Sequence, residues 1–180
     1  MPKGNYPARE LMVDLWNIFY TIIIYPIIYI FPAYVANGAP VIFGGGMPLD
    51  MDRKFGGKPI FGKHKTLLGL ITGLASGFII AFFISFALSY MLIIGIVTSI
   101  GTHFGDLLGS FIKRRLNKKE GTEFAFFDQY LFLIFAILFA IPLGHLPSTY
   151  GIIFLFILTG LLHRSTNKVA HKAKLKEVPW

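Results

Sequence analysis

Four polar residues recur along one apolar stretch of the sequence at the spacing of a single helix face. They are His103, Asp106, Ser110 and Lys113, at positions i, i+3, i+7 and i+10. At about 1.5 Å rise per residue, Asp106 lies roughly 10 Å along such a helix from Lys113. If the stretch crosses a membrane, a carboxylate at that depth indicates a functional site by default. The alternative is an ion pair of Asp106 with Lys113 or His103 that only orders the protein.

A second carboxylate, Asp128, follows a basic segment and opens the next apolar stretch. An acid in that place could serve only as an N-terminal helix cap. Two carboxylates and hydroxyls beside lysines and arginines also suit a magnesium ion that holds phosphate oxygens, because the basic residues neutralise the remaining phosphate charge. The residues alone therefore allow either a helix cap at Asp128 or a Mg²⁺ site formed by Asp106 and Asp128.

A glycine-rich, basic loop at residues 36–66 leads into another apolar stretch. Residues 57–63 fit the first seven positions of a P-loop, but His64 stands where a Ser or Thr must ligate magnesium, and no buried strand precedes the segment. We therefore reject a P-loop. What remains is a basic loop that brings Thr66 near a helix N-terminus, where backbone N–H groups favour anions. Such a loop is also the ordinary topology signal of a membrane protein.

The elements that position these residues are predicted to be membrane helices. The chain is 54% hydrophobic and 14% charged, with a mean hydropathy of +0.64, which is too apolar for a soluble domain of 180 residues. A spanning helix needs about 20 mostly apolar residues. The predicted fold is all-α, a single transmembrane domain over residues 1–180. Its five helices are predicted at residues 11–34, 67–88, 89–111, 129–146 and 148–162.

The basic residues are concentrated on one side of these helices. Five lie in the loop 36–66, five in the loop 113–127 and five in the tail 163–180, which makes fifteen of the 17 Lys and Arg residues. The positive-inside rule therefore places the N-terminus outside and the C-terminus in the cytoplasm. Charge in this arrangement indicates membrane topology rather than nucleic-acid binding, and the tail is expected to lie along the lipid surface. Cysteine is absent, which excludes thiolate metal sites and a cysteine nucleophile.

Small residues recur every four positions in the second and third predicted helices. They are Gly69, Gly73 and Gly77, and Gly101, Gly105 and Gly109. Such rows let helix backbones approach closely, so we expect these two helices to touch. The alternative is that some of the glycines only relieve crowding in the bundle.

Two segments of the sequence resemble one known family. GDLLGSFIKRR at residues 105–115, followed by Phe127-Asp128-Gln129, resembles the signature of the CDP-archaeol synthases. These are archaeal CTP:2,3-di-O-geranylgeranyl-sn-glycerol-1-phosphate cytidylyltransferases, which are related to bacterial phosphatidate cytidylyltransferases. The loop from Pro48 to Thr66 resembles the first cytoplasmic loop of the family, and the resemblance covers roughly residues 36–135. One departure is Leu131, which stands where the family usually has a second acid, three residues after Asp128.

The resemblance implies transfer of a cytidylyl group from CTP to an isoprenoid ether-lipid phosphate, with Mg²⁺ as cofactor and pyrophosphate as product. It implies that Asp106 and Asp128 are metal ligands, which together with Lys113 are the predicted catalytic residues. Because Leu131 replaces the usual acid, Asp106 is expected to carry more of the metal binding. The predicted substrate-binding residues are Asp50, Arg53, Lys63, Lys65, Thr66, Ser110, Arg114 and Arg115.

The expected partners are CTP, an isoprenoid glycerol phosphate lipid and the surrounding membrane lipids. The expected location is the cell membrane, as a multi-pass protein whose active site faces the cytoplasm. A homodimer is compatible with this plan.

The main alternative function is a membrane transporter for an organic anion that uses the same cytoplasmic polar cleft. It requires a polar path across the bilayer, whereas the outer half of every predicted helix is nearly free of polar groups. An alcohol phosphotransferase that consumes a CDP-lipid would carry a run of spaced aspartates on one helix, and that run is missing. A purely structural membrane protein leaves Asp106 unexplained.

Overall fold

The computed structural model describes residues 6–118, 122 and 124–175, which form a bundle of long helices. The helices are α1 (Tyr6–Phe19), α2 (Tyr25–Phe43), α3 (Leu67–Ser85), α4 (Met91–Arg115), α5 (Ala125–Ala140) and α6 (Thr149–Lys172). A π-helical turn, Tyr20–Ile24, joins α1 to α2, and two short strands, β1 (Lys54–Phe55) and β2 (Lys58–Pro59), form a hairpin between α2 and α3. Within the described residues, five helical stretches are long and apolar enough to cross a membrane. The predicted all-α plan with five spans is confirmed.

Three helices run further toward the basic side than their hydropathy predicts. Helix α2 continues to Phe43, α4 to Arg115 and α6 to Lys172. Hydropathy marks where a helix leaves the apolar layer, whereas backbone hydrogen bonding continues into water. Cationic side chains in the last turn also interact favourably with the helix dipole. As a result, Lys113, Arg114 and Arg115 lie on α4 rather than in the following loop, and most of the described tail is helical.

The fourth spanning helix begins earlier and ends earlier than its predicted range of 129–146. Helix α5 starts at Ala125, and its α-helical part stops at Ala140, just before a 3₁₀ turn at Ile141–Leu143 that contains Pro142. Proline cannot continue the hydrogen bonding of a helix interior, which explains the early end. Lys3, Lys119 and Lys176, which were part of the charge pattern, lie outside the described residues.

Helix α2 is the centre of the bundle, because it packs against α3, α4, α5 and α6. Its Ile30 and Ala33 are fully buried with Leu133 and Leu155 of the neighbouring helices. Pro26 and Pro32 are both buried in α2. Pro26 removes the helical hydrogen bond to the carbonyl of Ile22, which lies inside the π-helical turn. The π-helical turn therefore lies at the point where the backbone N–H of an ordinary residue is missing.

The two rows of glycines face different neighbours. Helices α3 and α4 are in contact, as expected, and a Cβ atom at Gly73 would overlap the imidazole of His103 on α4. The row on α4 faces α5 instead, because a Cβ atom at Gly101 or Gly105 would overlap backbone atoms of α5, at Phe135 and Leu131 respectively. The absence of these side chains lets the α4 and α5 backbones touch and sets their relative height.

This packing predicts that Gly101→Ala destabilises the protein. The added methyl would press on the Phe135 carbonyl, which is backbone and cannot rotate away, so we expect overpacking to cost about 1–3 kcal/mol. The measurement is the thermal unfolding midpoint in detergent. Gly38→Ala on α2 is the control, because a Cβ there meets nothing within 4 Å and alanine favours a helix. Equal midpoints for the two variants would contradict the close approach of α4 and α5.

Candidate active site

A small pocket lies where the loop after α2 meets the start of α3 and the middle of α4. Its polar lining comes from His64, Lys65, Thr66, His103 and Asp106. Apolar side chains of α2, α3 and α4, together with backbone at Gly45 and Gly69, complete the walls. The pocket therefore joins two of the segments that the sequence marked as chemically informative.

The central contact in this pocket is an ion pair between Lys65 and Asp106. The lysine Nζ lies 2.5 Å from Asp106 Oδ2, and both side chains are partly exposed to the pocket. Lys65 directly precedes the residue that caps α3, whereas Asp106 projects from within α4. The sequence offered Lys113 and His103 as partners of Asp106. The structure instead pairs Asp106 with a lysine from the loop, 41 positions away in the chain.

A second ion pair joins α4 to α5. Lys113 Nζ lies 2.7 Å from Asp128 Oδ1, and the other carboxylate oxygen of Asp128 accepts a hydrogen bond of 2.9 Å from the backbone N–H of Phe124. Phe124 is the residue that precedes α5. Asp128 is the fourth residue of α5 and therefore not its N-cap, but its carboxylate accepts from the N-cap backbone and lies in the positive field of the first turn. Its role as a metal ligand stays a prediction.

The loop that carries Lys65 is organised around the buried carboxylate of Asp50. Asp50 is only 6% exposed, and its two oxygens accept hydrogen bonds from the backbone N–H groups of Asp52, Phe61 and Gly62. Burial of the carboxyl group raises its pKa, but these donors outweigh burial and hold the pKa of Asp50 below its usual value. The carboxylate is thus ionised at neutral pH and ties the two arms of the loop together.

Thr66 closes the same loop at its end. Its hydroxyl oxygen accepts hydrogen bonds of 3.1 Å from the N–H groups of Gly69, in the first turn of α3, and of Gly45, just after α2. The bond from Gly69 is an ordinary N-cap contact, and the bond from Gly45 joins the same cap to the end of α2. These two bonds fix the position of Thr66 and so also help to fix the adjacent Lys65, which lines the pocket.

The remaining predicted site residues lie at different levels of the site. Ser110 is buried and donates a hydrogen bond of 3.1 Å to the carbonyl of Asp106, one turn earlier on α4. Arg53 and Lys63 are exposed on the loop surface, and Arg114 is half-buried in the last turn of α4. Arg115 is directed toward the hairpin of the loop, where its guanidinium donates to backbone carbonyls. The substrate-binding role assigned to each of these residues stays a prediction.

The sequence placed His103 on the polar stripe but gave it no role in the site. It lines the pocket, is only 7% exposed, and its ring occupies the space left by the missing side chain of Gly73. A histidine on one predicted helix and a glycine on a helix expected to pack against it is the sequence signal that could have placed His103 in the site, because the missing side chain of the glycine leaves room for the ring. The hairpin of the loop was not predicted either, because its strands are only two residues long.

The carboxylates present suit a magnesium ion only if substrate oxygens complete its coordination. Among the described residues, no group of three or more His, Cys, Asp or Glu side chains is placed to hold a metal. Magnesium usually keeps several waters and binds through one or two carboxylates together with substrate phosphates. Two carboxylates, each already beside a lysine, therefore fit Mg²⁺ in company with a phosphate ligand.

Five spanning helices with a paired carboxylate–lysine site at one end define a polytopic membrane protein of the intramembrane enzyme class. Residues 19–180 match the family described as CarS-like: CDP-archaeol synthase. The CDP-archaeol synthase of Pyrococcus furiosus is 40% identical over 159 residues, which cover 84% of this chain and 95% of the relative. The chain therefore belongs to the CDP-archaeol synthase family, as its sequence motifs predicted.

Two further comparisons agree with this membership. The CDP-archaeol synthase of Pyrococcus horikoshii is 44% identical over 160 residues, covering 84% of this chain and 94% of that protein. A solved structure described as an intramembrane enzyme for archaeal membrane lipids biosynthesis superposes with a TM-score of 0.74. It is 31% identical and covers 78% of this chain and 91% of that one. Membership of a synthase family favours the transferase function over the organic-anion transporter.

Proposed function

We propose that this protein is a CDP-archaeol synthase that transfers the cytidylyl group of CTP to 2,3-bis-O-geranylgeranyl-sn-glycerol 1-phosphate, giving CDP-archaeol and pyrophosphate. Family membership supports the overall reaction. The observation that carries the assignment to this site is the Asp106–Lys65 pair in a pocket at the basic side of the bundle. A carboxylate within a membrane helix, matched by a lysine from a loop, is the kind of intramembrane polar site that has a function.

The reaction asks little covalent chemistry of the protein. An oxygen of the lipid phosphate attacks the α-phosphorus of CTP while the bond from that phosphorus to the bridging oxygen of pyrophosphate breaks, and the electron pair leaves with pyrophosphate. Both reactants are anions, so alignment and neutralisation of charge should dominate catalysis. Lys65 and Lys113 supply positive charge beside the two carboxylates, and Arg114 adds positive charge in the last turn of α4. Arg53 and Lys63, exposed on the loop, are placed to meet CTP as it arrives from water.

We assign the Mg²⁺ ligands to Asp106 and Asp128. Asp106 and Asp128 would hold the ion, which would supply positive charge that neutralises part of the phosphate charge. Lys65 and Lys113, which pair with these carboxylates, would supply further positive charge for phosphate oxygens. Leu131 packs its side chain against Gly109 in the α4–α5 interface, which agrees with a site in which Asp106 carries the larger share of metal binding.

The structure suggests a different role for two of the predicted substrate-binding residues. Asp50 and Thr66 use their side-chain oxygens on backbone N–H groups of the loop. We therefore propose that both organise the loop rather than bind phosphate. Ser110, which donates to its own helix, is assigned to the wall beside Asp106.

We further propose that the protein lies in the cell membrane with its N-terminus outside and its C-terminus and active site on the cytoplasmic side, where CTP is available. The support is the concentration of Lys and Arg in the two loops and the tail.

This orientation predicts the labelling of single cysteines, which the cysteine-free chain makes simple to introduce. Lys54→Cys and Lys118→Cys lie on the basic side, and both positions are exposed. We expect a membrane-impermeant maleimide to label them only after the cells are permeabilised. Ser89→Cys, exposed in the turn between α3 and α4, is the control and should be labelled in intact cells. The reverse pattern would refute the proposed orientation.

The activity itself predicts formation of a labelled lipid from radiolabelled CTP and the geranylgeranyl glycerol phosphate by purified protein with Mg²⁺. We expect excess chelator to abolish product formation and added Mg²⁺ to restore it, because the two carboxylates and the phosphates need a bridging cation. Product detected at the full rate in excess chelator would remove the metal from the mechanism. No labelled lipid under any metal condition would remove the proposed reaction.

The metal assignment predicts that Asp106→Asn still folds but loses activity by about 10²-fold or more, because the change removes charge where the transition state needs it. Asp128→Asn should also lower activity, and it should reduce stability more than Asp106→Asn, because the lysine that loses its counter-ion is less exposed, 16% for Lys113 against 27% for Lys65. Cytidylyl transfer and thermal unfolding are measured side by side. Asp14→Asn on α1 is the control, because it removes a carboxylate of similar type outside the pocket. A stable and fully active Asp106→Asn protein would defeat the assignment.

A further inference from the structure

The side chain of Arg115 binds the protein's own backbone. Its two terminal guanidinium nitrogens donate to the carbonyl oxygens of Phe55, Lys58 and Pro59, all in the β1–β2 hairpin. The residues of that hairpin belong to the same loop that carries Lys65. Arg115 does not line the pocket. The guanidinium group that was predicted to bind phosphate thus donates to three backbone carbonyls.

Aromatic rings fix the guanidinium from the side. Its carbon lies 5.0 Å from the ring centre of Phe111, one turn earlier on α4, and 5.5 Å from that of Phe55 in the hairpin. The two rings also contact each other, with their centres 6.3 Å apart. Cation–π contact adds to the hydrogen bonds and restricts the planar group to one orientation, which a lysine ammonium could not reproduce.

The contact is reciprocal. Lys58, in β2, donates from its Nζ to the backbone carbonyl of Arg115 at 3.1 Å. That carbonyl is at the C-terminus of α4, where the helix leaves acceptors unsatisfied and where positive charge is favourable. A side chain from the hairpin therefore bonds the backbone of α4, and a side chain from α4 bonds the backbone of the hairpin.

This arrangement bears on the pocket through the loop. Asp50 ties the arms of the loop together and Thr66 fixes its end. The contacts of Arg115 and Lys58, together with the ring contact of Phe55 and Phe111, join the hairpin to the helix that carries Asp106. Asp106 lies nine residues before Arg115, which is roughly 14 Å along α4. This distance is too long for the two side chains to touch. Both lie on the same rigid helix, however, so the position of Arg115 is fixed relative to that of Asp106.

We propose that Arg115 is a positioning residue: by clasping the hairpin to the end of α4, it sets the loop so that Lys65 meets Asp106. The consequence for catalysis rests on the proposed function, whereas the clasp itself does not. A phosphate-binding role and a clasp differ in what they require of the side chain. A lysine ammonium also binds phosphate, as a point charge, but three carbonyls and two rings need the planar, five-donor guanidinium.

The clasp is tested first without turnover. Spin labels on Lys54→Cys in the hairpin and Leu116→Cys beyond α4, both at exposed positions, report the distance between the two elements in detergent or in vesicles. We expect a narrow distance distribution in the parent protein and a clearly broader one for both Arg115→Ala and Arg115→Lys. Lys118→Ala, which also removes one positive charge near the end of α4, is the control and should leave the distribution narrow. An unchanged distribution in Arg115→Ala would overturn the proposal.

Kinetics then separate positioning from phosphate binding. We expect Arg115→Ala and Arg115→Lys to lower kcat for cytidylyl transfer by about 10–100-fold, because the loop no longer places Lys65 accurately, with no rescue by lysine. A raised KM for CTP in Arg115→Ala that Arg115→Lys restores would identify a phosphate contact and defeat the clasp. If Arg115→Ala fails to fold, Lys58→Met removes the reciprocal bond alone. It should broaden the spin-label distance to a smaller extent, and no broadening there would count against the proposal.

Discussion

The site depends on the pairing of a carboxylate that projects from within a membrane helix. A lone charge in such a position would be expensive. Lys65 supplies the opposite charge from outside the helix, at 2.5 Å. A pair made with a neighbour on the same helix would need no loop at all, but a pair made with a loop lysine requires that the loop be held in place. Most of the order in residues 44–66 can be understood as a response to that requirement. Asp50 binds the loop to itself, Thr66 ties its end to α3 and to the end of α2, and Arg115 clasps its hairpin to α4.

The packing of α4 against α5 brings the second carboxylate to its lysine. Asp128 can meet Lys113 only if α5 starts at the correct height beside the end of α4. Gly101 and Gly105 let the backbones of these antiparallel helices touch at Phe135 and Leu131, which fixes their relative height. The pair at 2.7 Å follows from that alignment, since Lys113 lies two turns beyond Gly105 and Asp128 lies near the start of α5. Glycines that carry no chemistry therefore determine which charges meet.

The sequence alone predicted the number of spanning helices and their approximate places, because these follow from the length of apolar runs, which is a local property. It also singled out Asp106, Asp128 and Lys113 by the rarity of charge in or beside such runs, and Lys65 by the family resemblance. The roles of these residues in the reaction stay predictions. The sequence did not predict which charges pair. The stripe of His103, Asp106 and Lys113 has one helical spacing, yet Lys113 meets α5, Asp106 meets the loop and His103 meets α3. Periodicity places residues on one helix face, but the partners of that face depend on tertiary packing. The same reason explains why a glycine row on α4 was expected to contact α3 but contacts α5.

The two ion pairs also account for how the bundle holds charged side chains between its helices. Each carboxylate has a lysine beside it, and burying one partner without the other would be strongly destabilising. A substrate that brings phosphate oxygens together with a divalent cation offers each member of the pairs a new partner of the required sign. A neutral lipid could not do this, because it would leave lysine and carboxylate with only each other. The geometry thus favours an anionic headgroup at the depth of Asp106, roughly 10 Å below Lys113 along α4. A lipid phosphate has that charge, and the exposed Arg53 and Lys63 offer positive charge to CTP, the cytidylyl donor in the proposed reaction.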